Sequence, residues 1–331
     1  MNVLVVGGAG YIGSHMVRLL DRTGHRVVVL DNLSTGFAAA VTAGELIVGD
    51  MKDRPLVEQV IGDHKIDSVM HFAACALVGE SVVDPAKYYL NNVAATLELL
   101  EAMRRCAVKK MVFSSTCATY GEPAVVPIDE STKQEPVNPY GFTKLVIERT
   151  LDDYANAYGF GFAALRYFNA AGASPDGGIG EDHAPETHLI PIVLQVALGQ
   201  RRQITVYGDD WSTPDGTCVR DYIHVDDLAA AHLASLERIK LGQGLKINLG
   251  TGKGYSVREI IETCREVTGI DIPEVIGPRR PGDPPKLIAD ASLAKTVLNW
   301  EPEYRLPKPI IETAWDWHRN NPTGYGGKPI E

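Results

Sequence analysis

No stretch of the 331-residue chain approaches the ~18 consecutive apolar residues of a membrane-crossing helix. The chain opens as Met1-Asn2-Val3-Leu4-Val5-Val6, with no basic segment leading into an apolar one, so no signal peptide is expected. Cysteine is scarce. Cys75, Cys106, Cys117, Cys218 and Cys264 are odd in number and never spaced C-x-x-C, which argues against a disulfide framework or a thiolate zinc site. The cytoplasm is the expected compartment. Positive charge is in deficit, since 32 Lys and Arg against 42 Asp and Glu leave −10. A polyanion such as DNA or RNA is therefore not an expected partner, although a small anionic ligand needs only a local positive site. Repeats, low-complexity tracts and long charge runs are missing as well. His183, His188 and His224 fall at irregular spacings without a ligand pattern, and no metal is expected.

What is present is an ordinary globular composition, 45% hydrophobic and 22% charged. The length suits two lobes, or one large domain with an extension. Apolar, β-branched runs at Val3–Val6, Val27–Leu30, Leu46–Val48, Val69–Ala73 and Met111–Ser114 alternate with helical patterns at Tyr11–Arg22, Pro55–Gly62, Asn91–Arg105 and Asn138–Tyr158. Strands without polar alternation, separated by helices, predict an α/β fold with a doubly wound parallel sheet covered on both faces. Phe162–Asn169 reads as a sixth strand and Lys246–Leu249 as a later one returning to the same sheet. Turn-dense segments at Gly172–His188, Gly208–Thr217 and Gly277–Pro285 mark a smaller, interleaved C-terminal lobe. The expected division is 1–168 for the sheet domain, with a return near 220–250, and 169–331 mainly for the second lobe.

The first strand ends in Gly7-Gly8-Ala9-Gly10-Tyr11-Ile12-Gly13, which holds both G-x-x-G-x-x-G and G-x-G-x-x-G. Between a strand and a helix, glycines let the backbone approach a pyrophosphate, and the helix start offers free N–H groups and a positive dipole end. About twenty residues on, strand two ends in Asp31, an acid placed for ribose hydroxyls. Such an acid repels an extra phosphate there, so NAD rather than NADP is the expected cofactor.

Tyr140 and Lys144 form Y-x-x-x-K, four apart and hence on one helix face. An ammonium beside a phenol is expected to lower the tyrosine pKa from about 10 and supply a general base. Upstream, Phe113-Ser114-Ser115-Thr116 closes a strand at the sheet edge where ligands bind, and Thr116 can share the substrate proton. Glycine loop, hydroxyl and Y-x-x-x-K in this order describe an NAD-dependent oxidation site.

The sequence resembles the extended short-chain dehydrogenases/reductases, whose fold is the Rossmann type, and within them the UDP-glucose 4-epimerase family. The resemblance covers essentially the whole chain. Its most specific segments are Ala73-Ala74 with Val78-Gly79-Glu80-Ser81, Tyr88–Val93, Phe113–Gly121, Tyr167–Ala173, Gly180–His183, His188–Pro191, Gly216–Asp227 and Arg279-Arg280-Pro281-Gly282-Asp283. It implies reversible 4-epimerisation of UDP-galactose and UDP-glucose through a transient 4-keto sugar with bound NAD. Tyr140 takes the 4-hydroxyl proton, Lys144 tunes it and holds the nicotinamide ribose, and Thr116 orients or relays the proton. By the same resemblance Gly7, Gly10, Tyr11, Ile12, Gly13, Asp31, Asn32, Asp50, Met51, Phe72, Ala73, Ala74, Asn91 and Phe168 hold the dinucleotide with Tyr140 and Lys144. Asn169, His188, Leu189, Tyr207, Arg220, Arg280 and Asp283 bind the UDP-sugar beside Thr116 and Tyr140. A homodimer is also implied.

Other readings stay open at this level. Arg220 beside Asp221 could form an internal salt bridge, Arg279 and Arg280 a solvated turn, and Tyr207 a core aromatic. Relatives often carry Lys at the position of Ala76, and Leu287 is intermediate in size beside the sugar's 2-position, so acceptance of N-acetylated sugars is undecided. Dehydratases of this fold carry an Asp-Glu pair where Cys117 and Ala118 stand here. Epimerases of UDP-N-acetylhexosamines, UDP-xylose/arabinose or UDP-glucuronate, a plain dehydrogenase releasing NADH, and a non-catalytic NAD sensor are the remaining alternatives.

Overall fold

A computed structural model describes residues 1–280 and 283–326. Pro281 and Gly282 of the Arg279–Asp283 segment, and residues 327–331 of the expected second lobe, lie outside the described residues. Six strands, β1 (Asn2–Val6), β2 (Arg26–Asp31), β3 (Glu45–Val48), β4 (Ser68–His71), β5 (Lys110–Thr116) and β6 (Gly161–Tyr167), join a seventh at Gly244–Leu249. The sheet runs Gly244–Leu249, β6, β5, β4, β1, β2, β3, with every pairing parallel. The order reverses between β1 and β4, the switch point outside which such sheets bind ligands.

The apolar runs explain both faces. Side chains alternate along a strand, so Leu4 and Val6 enter one core and Val3 and Val5 the other. The first core is closed by helices Arg54–His64, Ala95–Arg105 and Pro139–Tyr158, through residues such as Val57, Leu99 and Ile147. The second is closed by Tyr11–Arg22, Val225–Arg238 and Ser292–Leu298, through Met16, Leu228 and Ala294. A third core packs helices Leu189–Ala197, Val257–Thr268 and Pro307–Asn320 around Ile190, Ile260, Cys264 and Ile310.

Three elements differ from the sequence reading. The fourth strand ends at His71 rather than Ala73, because Phe72 and Ala73 both donate to the Val6 carbonyl (2.8 and 3.1 Å) and the chain turns off the ladder. The expected strand Phe162–Asn169 divides: β6 stops at Tyr167, and Asn169–Ala171 pairs instead with Tyr222–His224 outside the main sheet. The helix expected from Asn91 enters through a π-helical turn, Tyr89–Ala94, before Ala95–Arg105; such turns gather at functional sites.

Candidate active site

The β1 turn is built for close approach. Gly7 has φ +83°, and a Cβ there would stand 2.4 Å from the Ala73 nitrogen. Gly10 caps the Tyr11–Arg22 helix without any side-chain hydrogen bond, so the first-turn N–H groups of Tyr11, Ile12 and Gly13 are not taken by a capping side chain. The Tyr11 hydroxyl donates to the Gly172 carbonyl at 2.6 Å, tying this turn to the second lobe. Asp31 faces inward: Oδ2 accepts from Ala9 N–H and Oδ1 from Leu33 N–H, both at 2.9 Å. Burial raises its pKa despite those bonds. Each carboxylate oxygen retains a second lone pair for a ribose hydroxyl. Asn32 donates to Asp50 at 3.2 Å beside it, and Met51 is buried in the first core.

Opposite, across the switch point, stand the half-buried Phe72, Ala73 and Ala74. Cys75 follows, clamped by Asn92, which accepts from its N–H at 2.8 Å and donates to its carbonyl at 3.0 Å. The same Asn92 donates to Thr143 (3.2 Å) and receives Asn91 Nδ2 (3.0 Å), so the π-helical turn braces the nucleotide wall against the Tyr140 helix. Sequence reading picked Asn91 and missed Asn92, whose signal is only a buried amide beside a half-buried one.

Thr116 ends β5, and its hydroxyl caps the Cys117–Tyr120 turn by accepting from Ala118 N–H at 3.1 Å. The Tyr140 helix lies directly on that turn, since a Cβ at Gly141 would meet the Ala118 carbonyl at 2.4 Å. This contact brings Tyr140 to Thr116, whose hydroxyl favours the phenolate. Burial nevertheless pushes the Tyr140 phenol well above its ordinary value, against the expected lowering by Lys144. The reason is geometric: Lys144 Nζ donates to the Ser114 carbonyl at 2.8 Å and lies 4.9 Å from the Phe113 ring centroid and 5.9 Å from that of Tyr140. Among the described residues Lys144 has no carboxylate partner; it is 2% exposed, and burial lowers it to about 7. Phe168, Cys117 and Ala289 form a small core against which Leu287 packs.

The second lobe supplies the facing wall. Leu287 is the register partner of Arg220, so these two share one small sheet. Arg220 does not pair with Asp221. It lies 3.6 Å from Asp283, while the fully buried Asp221 is held by Thr251, Gly252 and Ala289 N–H groups. Tyr207 is not a core residue, being 40% exposed with the Arg280 guanidinium 3.9 Å above its ring. Arg279 stacks instead on Trp211 and pairs with Asp210 at 2.6 Å. Asn169 N–H donates to the Asp221 carbonyl at 3.0 Å, which fixes it between the two lobes. His188 caps the helix that begins at Leu189, with its ring turned to Glu181 and Glu186. Burial opposes charge on His188 and His183, yet those two carboxylates raise them to about 10 and about 9.

Beneath the carboxyl edge of β5 lies a buried polar network that sequence reading did not find. Arg166 on β6 makes a two-pronged pair with Glu148 (2.9 and 2.5 Å) and donates to Tyr120 at 2.8 Å. Glu148 also accepts from Ser115 and Gln134, and Tyr120 donates to Asn248. Only a charged residue within each of two apolar patterns hinted at it.

The model of the NAD dependent epimerase/dehydratase family matches residues 3–250. The UDP-glucose 4-epimerase of Halalkalibacterium halodurans is 55% identical over 326 residues, covering 98% of each chain. A crystal structure of UDP-glucose 4-epimerase from Brucella ovis in complex with NAD has TM-score 0.92 and 51% identity, over 95% of this chain and 97% of that one. That of the Bifidobacterium longum enzyme with NAD+ and UDP has TM-score 0.94 and 40% identity, over 98% and 100%. By the family model over residues 3–250 and this identity over nearly the whole length, the chain belongs to the NAD dependent epimerase/dehydratase family.

Proposed function

We propose that the chain interconverts UDP-galactose and UDP-glucose by oxidising sugar C4 and reducing it again from the other face. Tyr140 takes the 4-hydroxyl proton and later returns it, Thr116 orients that proton, and Lys144 fixes the tyrosine side of the pocket. The observation that carries this reading is the meeting of the Tyr140 phenol, Thr116 and the unpaired, buried Lys144 at the carboxyl edge of β5. NAD, when bound, supplies the hydride acceptor and donor together with a positive charge beside the phenol. The uncapped helix start at Gly10 and the close packing of Gly7 on Ala73 fit a dinucleotide there. Gly7, Gly10, Tyr11, Ile12, Gly13, Asp31, Asn32, Asp50, Met51, Phe72, Ala73, Ala74, Asn91 and Phe168 would hold it. For the substrate, Arg220 and Arg280 suit the diphosphate, Tyr207 the uracil face, and Asp283 a ribose hydroxyl, beside Asn169, His188 and Leu189.

Elimination of water is disfavoured because Cys117 replaces an acid and burial pushes its thiol up to about 12. The test is purified protein with UDP-galactose and no added cofactor, followed by NMR of the anomeric signals. UDP-glucose should appear up to equilibrium without release of NADH. Turnover confined to UDP-N-acetylgalactosamine, UDP-arabinose or UDP-galacturonate would move the substrate and keep the chemistry, whereas silence on all four would overturn the reading. We further propose a homodimer, supported by the exposed Leu90, Leu97, Phe142 and Tyr158 on the Tyr89–Arg105 and Pro139–Tyr158 segments; light scattering should return twice the chain mass. No helix among the described residues is long and apolar enough to cross a membrane. A cytoplasmic location accords with five free cysteines.

A further inference from the structure

The segment Glu181-Asp182-His183-Ala184-Pro185-Glu186-Thr187-His188 repeats Glu-x-His after five residues. Folding brings one atom from each of Glu181, His183, Glu186 and His188 within 4.8 Å of all the others. The His–Glu separations are 2.8 Å (His188 Nδ1 to Glu181), 3.1 Å (His188 Nδ1 to Glu186), 3.2 Å (His183 Nδ1 to Glu181) and 3.5 Å (His183 Nδ1 to Glu186). Four ligands arranged tetrahedrally at the 2.0–2.1 Å bond lengths of zinc lie roughly 3.3 Å apart, which falls within that range.

A second observation points the same way. Glu181 is 3% exposed, and its Oε1 has no hydrogen-bond partner although two imidazole nitrogens stand within 3.2 Å. His183 Nδ1 is likewise buried without a partner. His188 Nδ1 is hydrogen-bonded to Glu186 at 3.1 Å instead, which leaves Glu181 Oε1 and His183 Nδ1 as the unpartnered pair. The cluster is also pre-set by its backbone: Glu186 accepts from Thr187 and His188 N–H at 2.7 and 2.8 Å, and Trp317 Nε1 donates to the Glu181 carbonyl at 3.1 Å. A cavity of about 100 Å³ adjoins it, lined by Glu181, His183, Glu186 and His318, and the Nε2 of His318 is buried and unpartnered too.

We propose that Glu181, His183, Glu186 and His188 bind a single divalent transition-metal cation, zinc in the first place. Two carboxylates and two neutral imidazoles balance the charge of such an ion, and this nitrogen–oxygen set suits zinc better than calcium or magnesium. The site is structural. All four ligands come from one turn-rich loop, and the His183 ring stands edge-on to Tyr11, 6.1 Å between centroids. The ion would thus tie the Gly172–His188 loop to itself beside Tyr11, the residue that opens the nucleotide-binding helix, apart from the proton-transfer groups. The competing state is a metal-free cluster in which two imidazolium ions neutralise the two carboxylates.

The test uses the full chain expressed without a histidine tag, treated with chelator, incubated with Zn²⁺ alone and passed through gel filtration. Elemental analysis should find one zinc per chain, and Tm should rise by roughly 5 °C at zinc a hundredfold above its Kd. H183A and E186Q should each retain no zinc. Should either fail to fold, X-ray absorption of the zinc-loaded wild type decides, with imidazole scattering and a first shell near 2.0 Å expected. Zinc at blank level in the wild type, equal zinc in both variants, or a spectrum without imidazole would each overturn the site.

Discussion

Lys144 and Glu148 are one helical turn apart on the same face of one helix, equally buried, and opposite in electrostatic condition. Glu148 meets Arg166 in a two-pronged pair and receives Ser115 and Gln134 as well. Lys144 has only a backbone carbonyl, that of Ser114. Neighbouring residues of β5 thus serve two regions: Ser114 and Thr116 the proton-handling edge, Ser115 the sealed network below. A paired buried charge remains charged and anchors the strands, whereas an unpaired one is driven by desolvation toward the pH at which it can exchange protons.

The largest effect should come from the unpaired side. Tyr140→Phe should lower kcat by about 10³-fold or more while NAD still co-purifies, as measured by NMR turnover and absorbance of the released cofactor. Activity within about tenfold of wild type would remove Tyr140 as the base. Next is the paired side: Arg166→Met strands the Glu148 charge and should cost about 4 kcal/mol in urea unfolding, whereas the double replacement with Glu148→Met should cost clearly less. Equal costs would mean that packing rather than pairing holds the network.

The third test is a pH dependence. Lys144 titrates at about 7 in the folded chain and near 10.4 when unfolded, so between these values the unfolded state carries the extra proton. Its contribution therefore makes stability rise with pH across that window, by up to about 1.4 kcal/mol per unit. Lys144→Met should erase about 2 kcal/mol of the gain between pH 7.5 and 9 in parallel urea titrations; identical slopes for both proteins would show that the ammonium is not desolvated. The smallest effect is expected at Leu287, which packs against the Phe168 core and is register-paired with Arg220. Leu287→Ala should raise kcat/KM for UDP-N-acetylgalactosamine relative to UDP-galactose by about tenfold, read by competition between the two sugars.

Much of this was legible in the chain itself. The apolar runs predicted a parallel sheet because strands covered on both faces carry no polar alternation, and Val3–Val6 shows why. The glycine turn and Y-x-x-x-K were legible because their spacing has one local geometry. What could not be read depended on distant partners: Glu148 and Arg166 are 18 residues apart on different elements, and Arg220 prefers Asp283 over its neighbour. Sequence also misjudged the sign of the Tyr140 shift, because spacing says who is near but not how much water is lost. The Glu181–His188 loop escaped for a related reason, since its ligands converge through loop geometry without helical or strand periodicity.

The strand Gly244–Leu249 pairs with β6 from Phe162 to Tyr167, and the helix before it packs against Tyr11–Arg22 on the far side of the sheet. During synthesis this has a temporal consequence. A nascent chain that has emerged only as far as residue 168 carries the glycine turn and Tyr140, yet β6 is an open edge and one apolar face is covered by Tyr11–Arg22 alone. The sheet closes only after roughly 80 more residues have left the ribosome, a long-range pairing of the slow kind. Truncation within that interval should therefore yield an aggregating fragment rather than a smaller binding module, and the chain stands or falls as one cooperative unit.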